Sequence, residues 1–297
     1  MSVRSDSAEG APVALTRRGL LTRAAALTAV GAAASLAVAQ PALASQDTST
    51  LDLPTVNMEA VLKAAQIDPR RPDTALTPGS KESVLLVEQA LADRGLLAAQ
   101  YVDGHFGTST ITAYAAYQKS LGYTGLDASG LPGPTSLAKL GADRFTVTNV
   151  VSAGTRVSWR GVTVNTRTKA MVLAAEALLG RTLSFTQGSY NTGVGASAGT
   201  HDGGGALDIN VSGMTSATRV TVTEKLRRVG FAAWVRTPAQ GDWGYHIHAI
   251  AISDPDLSSG AQHQAGDYYL GLNGLANKGK DDGPAVEKVT WEEYQRG

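Results

Sequence analysis

Two short runs, His201-Asp-Gly-Gly-Gly-Ala-Leu-Asp208 and His246-Ile-His248, constrain the fold of this chain more than any other feature. They take three of the five histidines in 297 residues, and they have chemical meaning only if the fold brings them together. A mononuclear catalytic zinc takes three nitrogen or oxygen ligands from the protein and keeps a fourth position for water. His201, Asp208 and His248 supply such a set without any cysteine. Calcium fits it poorly, because imidazole is a weak ligand for that ion.

Local pattern indicates how the runs meet. Gly203-Gly-Gly205 cannot be a helix interior; it reads as a tight turn that brings His201 beside a strand, Ala206–Val211. On that strand Leu207, Ile209 and Val211 point to one face and Asp208 to the other. The same period of two puts His246 and His248 on one face of a second strand, with Ile247 behind. Pairing of these strands presents Asp208 and His248 to one point, with His201 reaching in from the turn.

The surrounding region, 144–297, reads as mixed α and β, so the fold class is α+β with an antiparallel sheet. Val162–Asn165 is a strand ending in a cap, and Thr166–Leu179 is a helix stopped by Gly180. Leu183–Thr186, Phe231–Arg236 and Gly244–Ile252 read as strands, and Val220–Val229 as a helix. After Asp256 the chain is polar but holds Tyr268, Tyr269, Trp291 and Tyr294, which predicts a tail packed back as a strap.

Upstream, Lys81 to Gly141 is helical. Val84, Val87, Ala90 and Leu91 recur at helical spacing behind Ser83 as N-cap. A loop, Asp103–Gly107, precedes a helix capped by Thr108, and a second loop, Gly130–Pro134, precedes a short helix from Thr135 to Leu140. The repeated design suggests a three-helix unit with an internal echo. Residues 45–80, with Pro54, Pro69, Pro72 and Pro78 and weak patterning around Met58–Ala65, read as a linker or pro-segment, at best partly ordered.

Residues 1–44 have the form of an export signal. Arg17-Arg18 is followed by an uncharged Ala-rich stretch and by Ala42-Leu-Ala44, a small-x-small site that places cleavage before Ser45. The stretch is shorter and less apolar than a membrane anchor. The arginine pair resembles a twin-arginine signal, with the general secretory route as the alternative; either takes the protein out of the cytoplasm. Removing 1–44 takes four arginines and two acids from totals of 26 and 26, leaving a formal charge of −2. Such a balance gives no electrostatic footprint for nucleic acid or an anionic membrane surface. Cysteine is absent, so stability outside the cell rests on core burial and metal rather than on disulfides.

Two family resemblances follow. Gln89-Ala-Leu91, Asp103-Gly-x-Phe-Gly107, Thr110, Ala113, Tyr117-Gln118 and Leu131–Leu137 resemble the peptidoglycan-binding domain of cell-wall hydrolases, which implies peptidoglycan as partner for 81–141. His105 lies in the variable slot of its loop. From about Asn165 to Ile252 the chain resembles the zinc D-alanyl-D-alanine peptidases and their hedgehog-like relatives, with the pattern H-x6-D followed by H-x-H. That resemblance implies a secreted zinc peptidase cutting stems or cross-links of the wall, with His201, Asp208 and His248 as zinc ligands. His246 is the non-ligand partner, serving the transition state or proton transfer.

Two departures bear on the chemistry. The Glu or Asp that many relatives place three residues before the last ligand is Tyr245 here, so the base is His246 or Asp242; strand geometry favours His246. The stretch that often carries a carboxylate-binding arginine is Gln187-Gly-Ser-Tyr-Asn191 here, which weakens a carboxypeptidase reading and leaves room for an endopeptidase. Ser189, Tyr190, Asn191, Trp243 and Tyr245 are candidates for lining the cleft. The alternative function is a catalytically inactive, zinc-containing wall-binding protein.

Overall fold

The computed structural model describes residues 52–297; the export-signal reading lies outside the described residues. Its centre is a four-stranded antiparallel sheet of β5 (Phe185–Gln187), β6 (Ala206–Asn210), β7 (Phe231–Arg236) and β8 (His246–Ala251), in the order β5-β6-β8-β7. The expected mixture of helix and sheet is therefore present, with helices on both sheet faces. Leu207, Ile209, Phe231, Ala233, Ile247 and Ala249 pack on α5 (Thr166–Leu179) and α6 (Ser216–Arg228). Ala206, Ala232, Trp234 and Ile250 point the other way, into a second core.

That second core corrects the reading of the region before Lys81. Residues 52–80 are folded, not a loose linker. β1 (Thr55–Asn57) pairs in parallel with β2 (Thr146–Thr148), and α1 (Met58–Ile67) buries Met58, Val61, Leu62, Ala64 and Ala65. The prolines misled: Pro69 falls in the 3-10 turn after α1, where a missing amide costs nothing. α1 packs against α7 (Ser259–Tyr269), and the contact is close enough that a Cβ at Gly266 would overlap the Gln66 carbonyl.

The helices of 81–141 are α2 (Lys81–Ala92), α3 (Thr108–Ser120) and α4 (Pro134–Leu140). Ser80, not Ser83, occupies the N-cap position of α2; Ser83 instead accepts the Asn57 amide at 3.0 Å and ties β1 to the helix. Thr108 is likewise the first helical residue behind Gly107. The internal echo is real in backbone terms: Gly104 and Gly130 both adopt φ 86°, and Gly107 and Gly133 each precede the next helix by one residue. Phe106, Tyr114, Leu131 and Leu137 from this unit share one continuous core with Trp234, Ile250 and Ala265 of the sheet layer.

A hairpin of β3 (Arg156–Trp159) and β4 (Val162–Asn165) turns through Arg160-Gly161, both at positive φ as a two-residue hairpin turn requires. Asn165 then caps α5 by accepting the Thr168 amide. The expected strap is present: α8 (Trp291–Arg296) opens on a Thr290–Glu293 capping box. It ties Glu292 to Arg167 of α5 and Glu293 to Lys63 of α1.

Two predictions follow from this packing. Gly266→Ala wedges α7 from α1 and lowers unfolding free energy by about 1–3 kcal/mol, measured by denaturant titration. Glu88 is fully buried and accepts the amides of Asp103 and Gly104 and the Thr110 hydroxyl. Burial pushes its carboxyl up to about 7, from 4.5. A raised folded-state value favours folding at low pH, so this contribution is complete below pH 4.5 and lost as pH rises through 7. Glu88→Gln, of the same shape, removes a slope on the order of 3 kcal/mol across that window, read from melting curves at pH 5 to 8.

Candidate metal centre

β6 and β8 pair with Asp208 directly opposite His248, so both side chains leave the same sheet face at the same height. On the far side of β8, Trp234 stands opposite His248 and Arg236 opposite His246. His201 enters from the turn before β6. The three glycines explain that approach: Gly204 donates to the Asp256 carbonyl at 2.7 Å, and Cβ atoms at Gly203 or Gly204 would collide with the Asp256–Ser258 segment. Side chains there would push the turn, and His201 with it, off the sheet.

Three acceptor atoms converge. His201 Nε2 lies 3.3 Å from His248 Nδ1 and 3.3 Å from Asp208 Oδ1, and His248 Nδ1 lies 2.8 Å from Asp208 Oδ1. Ligand atoms about 2.0–2.1 Å from a tetrahedral ion stand about 3.3 Å apart, so the triangle is the right size for one. All three residues are buried. Their outer hydrogen bonds select the tautomers a ligand needs. His201 Nδ1 donates to the Gly188 carbonyl at 2.9 Å, which leaves Nε2 with its lone pair. His248 Nε2 faces Gln264 Oε1 at 2.9 Å, which frees Nδ1 in the same way.

The charges agree with that geometry. Burial pushes the His248 imidazole down to about 4, so it is neutral at ordinary pH. Burial works to raise the Asp208 carboxyl, but the His201 and His248 contacts outweigh it and hold it well below the usual carboxylate range. The two imidazole nitrogens and the carboxylate aim their lone pairs at one point, and only a proton or a cation there satisfies them all. His201, Asp208 and His248 therefore form a buried group able to hold a metal ion.

The group opens on a cavity of about 300 Å³. His246 borders it: Nδ1 donates to the Gly244 carbonyl at 2.8 Å, and Nε2 stands 3.7 Å from Asp208 Oδ1. Trp243 lies edge-on to the His246 ring and lines the same space. The other sequence candidates do not. Asp242 is exposed and outside the lining, and Tyr245 is 52% exposed beneath the Arg219 guanidinium.

Ser189 is buried with its hydroxyl on the Ala206 carbonyl. Tyr190 adopts φ 55°, which breaks the strand alternation; its hydroxyl bonds Asp256 and its ring lies under Arg156. Tyr190 borders a separate cleft of about 270 Å³ shared with Gln118, Tyr123 and Leu131 of the helical unit. Asn191 contributes only its amide, to the His201 carbonyl.

Among the cavity residues missed from sequence are Gln187, Arg236 and Gln264. Arg236 had a signal, since it follows Trp234 by two on the same strand and so shares its face. Burial pushes its guanidinium down to about 10, still charged at physiological pH. Gln264 had none, because only the packing of α7 on the sheet brings it to His248. In comparisons with known protein families, curated proteins and solved structures, nothing matches this chain.

If this group holds a metal, chelation lowers the melting temperature and stoichiometric metal restores it, because an ion bound only by the folded state stabilises by mass action. Gln264→Leu keeps the fold but weakens metal affinity about 10–100-fold, measured by competition with a chromogenic chelator.

Proposed function

We propose that the protein is an exported, zinc-dependent peptidase that hydrolyses peptide stems or cross-links of peptidoglycan. The observation that carries the reading is the buried His201–Asp208–His248 triangle, with both imidazoles locked by outer hydrogen bonds and a free histidine beside them. Zinc fits this donor set, because two imidazoles and one carboxylate leave a fourth tetrahedral position for water. The sequence resemblance of 165–252 to zinc D-alanyl-D-alanine peptidases supplies the substrate class. The resemblance of 81–141 to peptidoglycan-binding domains supplies the partner.

The chemistry that zinc supplies when bound is polarisation of the scissile carbonyl and a water acidic enough to lose its proton near pH 7. The protein's own residues do the rest. His246, with Nδ1–H committed to Gly244, offers Nε2 to take up that proton at the cavity edge. The imidazolium so formed faces Asp208, which steadies it, and can return the proton to the departing amine. Gln264 and the Gly188 carbonyl keep the ligand rings from turning while charge develops. Asp242, the other candidate base, is exposed and outside the cavity lining, which favours His246.

A second reading is an inactive wall-binding protein that keeps its metal. It is favoured by one observation: Asp208, itself in the triangle, is the only carboxylate among the lining residues described for the cavity. Mass spectrometry of stem peptides and cross-linked muropeptides incubated with the zinc-loaded protein separates the two. The peptidase reading expects chelator-sensitive cleavage that falls about 10²–10⁴-fold in His246→Ala, with zinc content unchanged. Stoichiometric zinc with no product from any wall peptide would establish the inactive form.

A further inference from the structure

We infer that Tyr190 is a positioning residue for the metal centre: through its hydroxyl on Asp256 it clamps the turn that presents His201. The inference rests on the metal reading of the His201–Asp208–His248 group and deepens it. Asp208 and His248 are held by the β6–β8 ladder, whereas His201 lies outside any strand. Its place therefore depends on what grips its turn. One wall of the grip is the segment 188–191. There the Gly188 carbonyl accepts from the His201 ring at 2.9 Å, and the Asn191 amide donates to the His201 carbonyl at 2.9 Å. The Tyr190 amide donates to the Gly203 carbonyl at 2.8 Å. The other wall is the segment 254–258. Its Asp256 carbonyl accepts the Gly204 amide at 2.7 Å, and its Ser258 hydroxyl donates to the Thr200 carbonyl at 3.2 Å.

The Tyr190 side chain joins the two walls, its hydroxyl donating to Asp256 Oδ2 at 2.6 Å. Asp256 is fixed in turn. Its amide donates to Oδ1 of the fully buried Asp254, whose Oδ2 accepts from the Asn165 side chain at 2.8 Å. The clasp closes directly over the glycine turn: a Cβ at Gly204 would stand 2.7 Å from the Tyr190 hydroxyl oxygen and 2.7 Å from the Asp256 Cβ. The backbone singles out the same residue. Tyr190 adopts φ 55°, where a side chain is strained and glycine is at ease. Glycine there would relieve the strain and lose the clasp. His201 Nε2 must stand 3.3 Å from both His248 Nδ1 and Asp208 Oδ1. Such a constellation tolerates only about 0.5 Å of drift, so a turn locked from both sides keeps the third donor in register with the other two.

The test compares Tyr190→Phe, which removes only the hydroxyl, with Tyr114→Phe, which removes a buried hydroxyl paired with Ser136 in the helical unit. Zinc affinity is measured by competition with a chromogenic chelator, and hydrogen exchange of the Gly204 amide is followed in metal-free protein. The expected result in Tyr190→Phe is a loss of zinc affinity of about tenfold or more, with exchange at Gly204 faster by about tenfold. Tyr114→Phe leaves both as in the wild type. With cobalt in place of zinc, the visible spectrum reports ligand geometry and shifts in Tyr190→Phe alone. Asp256→Asn keeps an oxygen for the hydroxyl to bond and retains zinc affinity. Asp256→Ala loses as much as Tyr190→Phe, and the double variant loses no more than either. Unaltered zinc affinity in folded Tyr190→Phe, or additive losses in the double variant, overturns the inference. Wild-type protein that binds no zinc would instead remove the metal reading, and Gly204 exchange would still decide whether Tyr190 holds the turn.

Discussion

The register of β6 on β8 governs the chemistry of this protein. Asp208 opposite His248 places two donor atoms 2.8 Å apart on one sheet face. A slip of one residue would send Asp208 into the apolar layer occupied by Leu207 and Ile209 and bring Leu207 or Ile209 to the metal side. That alternative buries a carboxylate among aliphatic side chains, so the hydrophobic pattern that builds the sheet also fixes the site. The triglycine turn adds the third donor by allowing the chain to press against the Asp256–Ser258 segment.

What surrounds the triangle keeps it in one state. The imidazoles are oriented from behind by a main-chain carbonyl and by a glutamine on α7. α7 is held in turn by α1 through the side-chain-free contact at Gly266, and α1 is gripped by the C-terminal strap. The first helix of the described chain and its last one therefore both bear, through packing, on where Gln264 meets His248. The helical unit belongs to the same core, so the candidate wall-binding elements and the candidate active site are mechanically continuous. The cleft that Tyr190 shares with Gln118 and Leu131 lies along that joint.

Charge inside the cavity has a division of labour. Asp208 faces the candidate metal position, His246 is left with one free nitrogen, and Arg236 carries a buried positive charge with no carboxylate of the described residues within ion-pair distance. Each of these is a cost to folding taken alone, and together they describe a space preorganised for a ligand that completes them.

The sequence by itself picked out the three residues that the fold gathers, because the residue types, the glycine turn and period-two alternation bring His201, Asp208 and His248 to one point. It also determined the strands that carry them, the helix at Thr166–Leu179 and the tail that folds back, since each has local caps or a clean apolar pattern. Only the tertiary structure decided that residues 52–80 belong to the core, because what the apolar face of α1 packs against, α2 and α7, comes from elsewhere in the chain. Only packing brought Gln264 to the cavity and excluded Tyr190, Tyr245 and Asp242 from its lining. Strand alternation is a property of the chain, legible residue by residue. Which loop residues border a cavity depends on left-handed turns and on layers stacked from distant segments, and that information exists only once the chain has closed on itself.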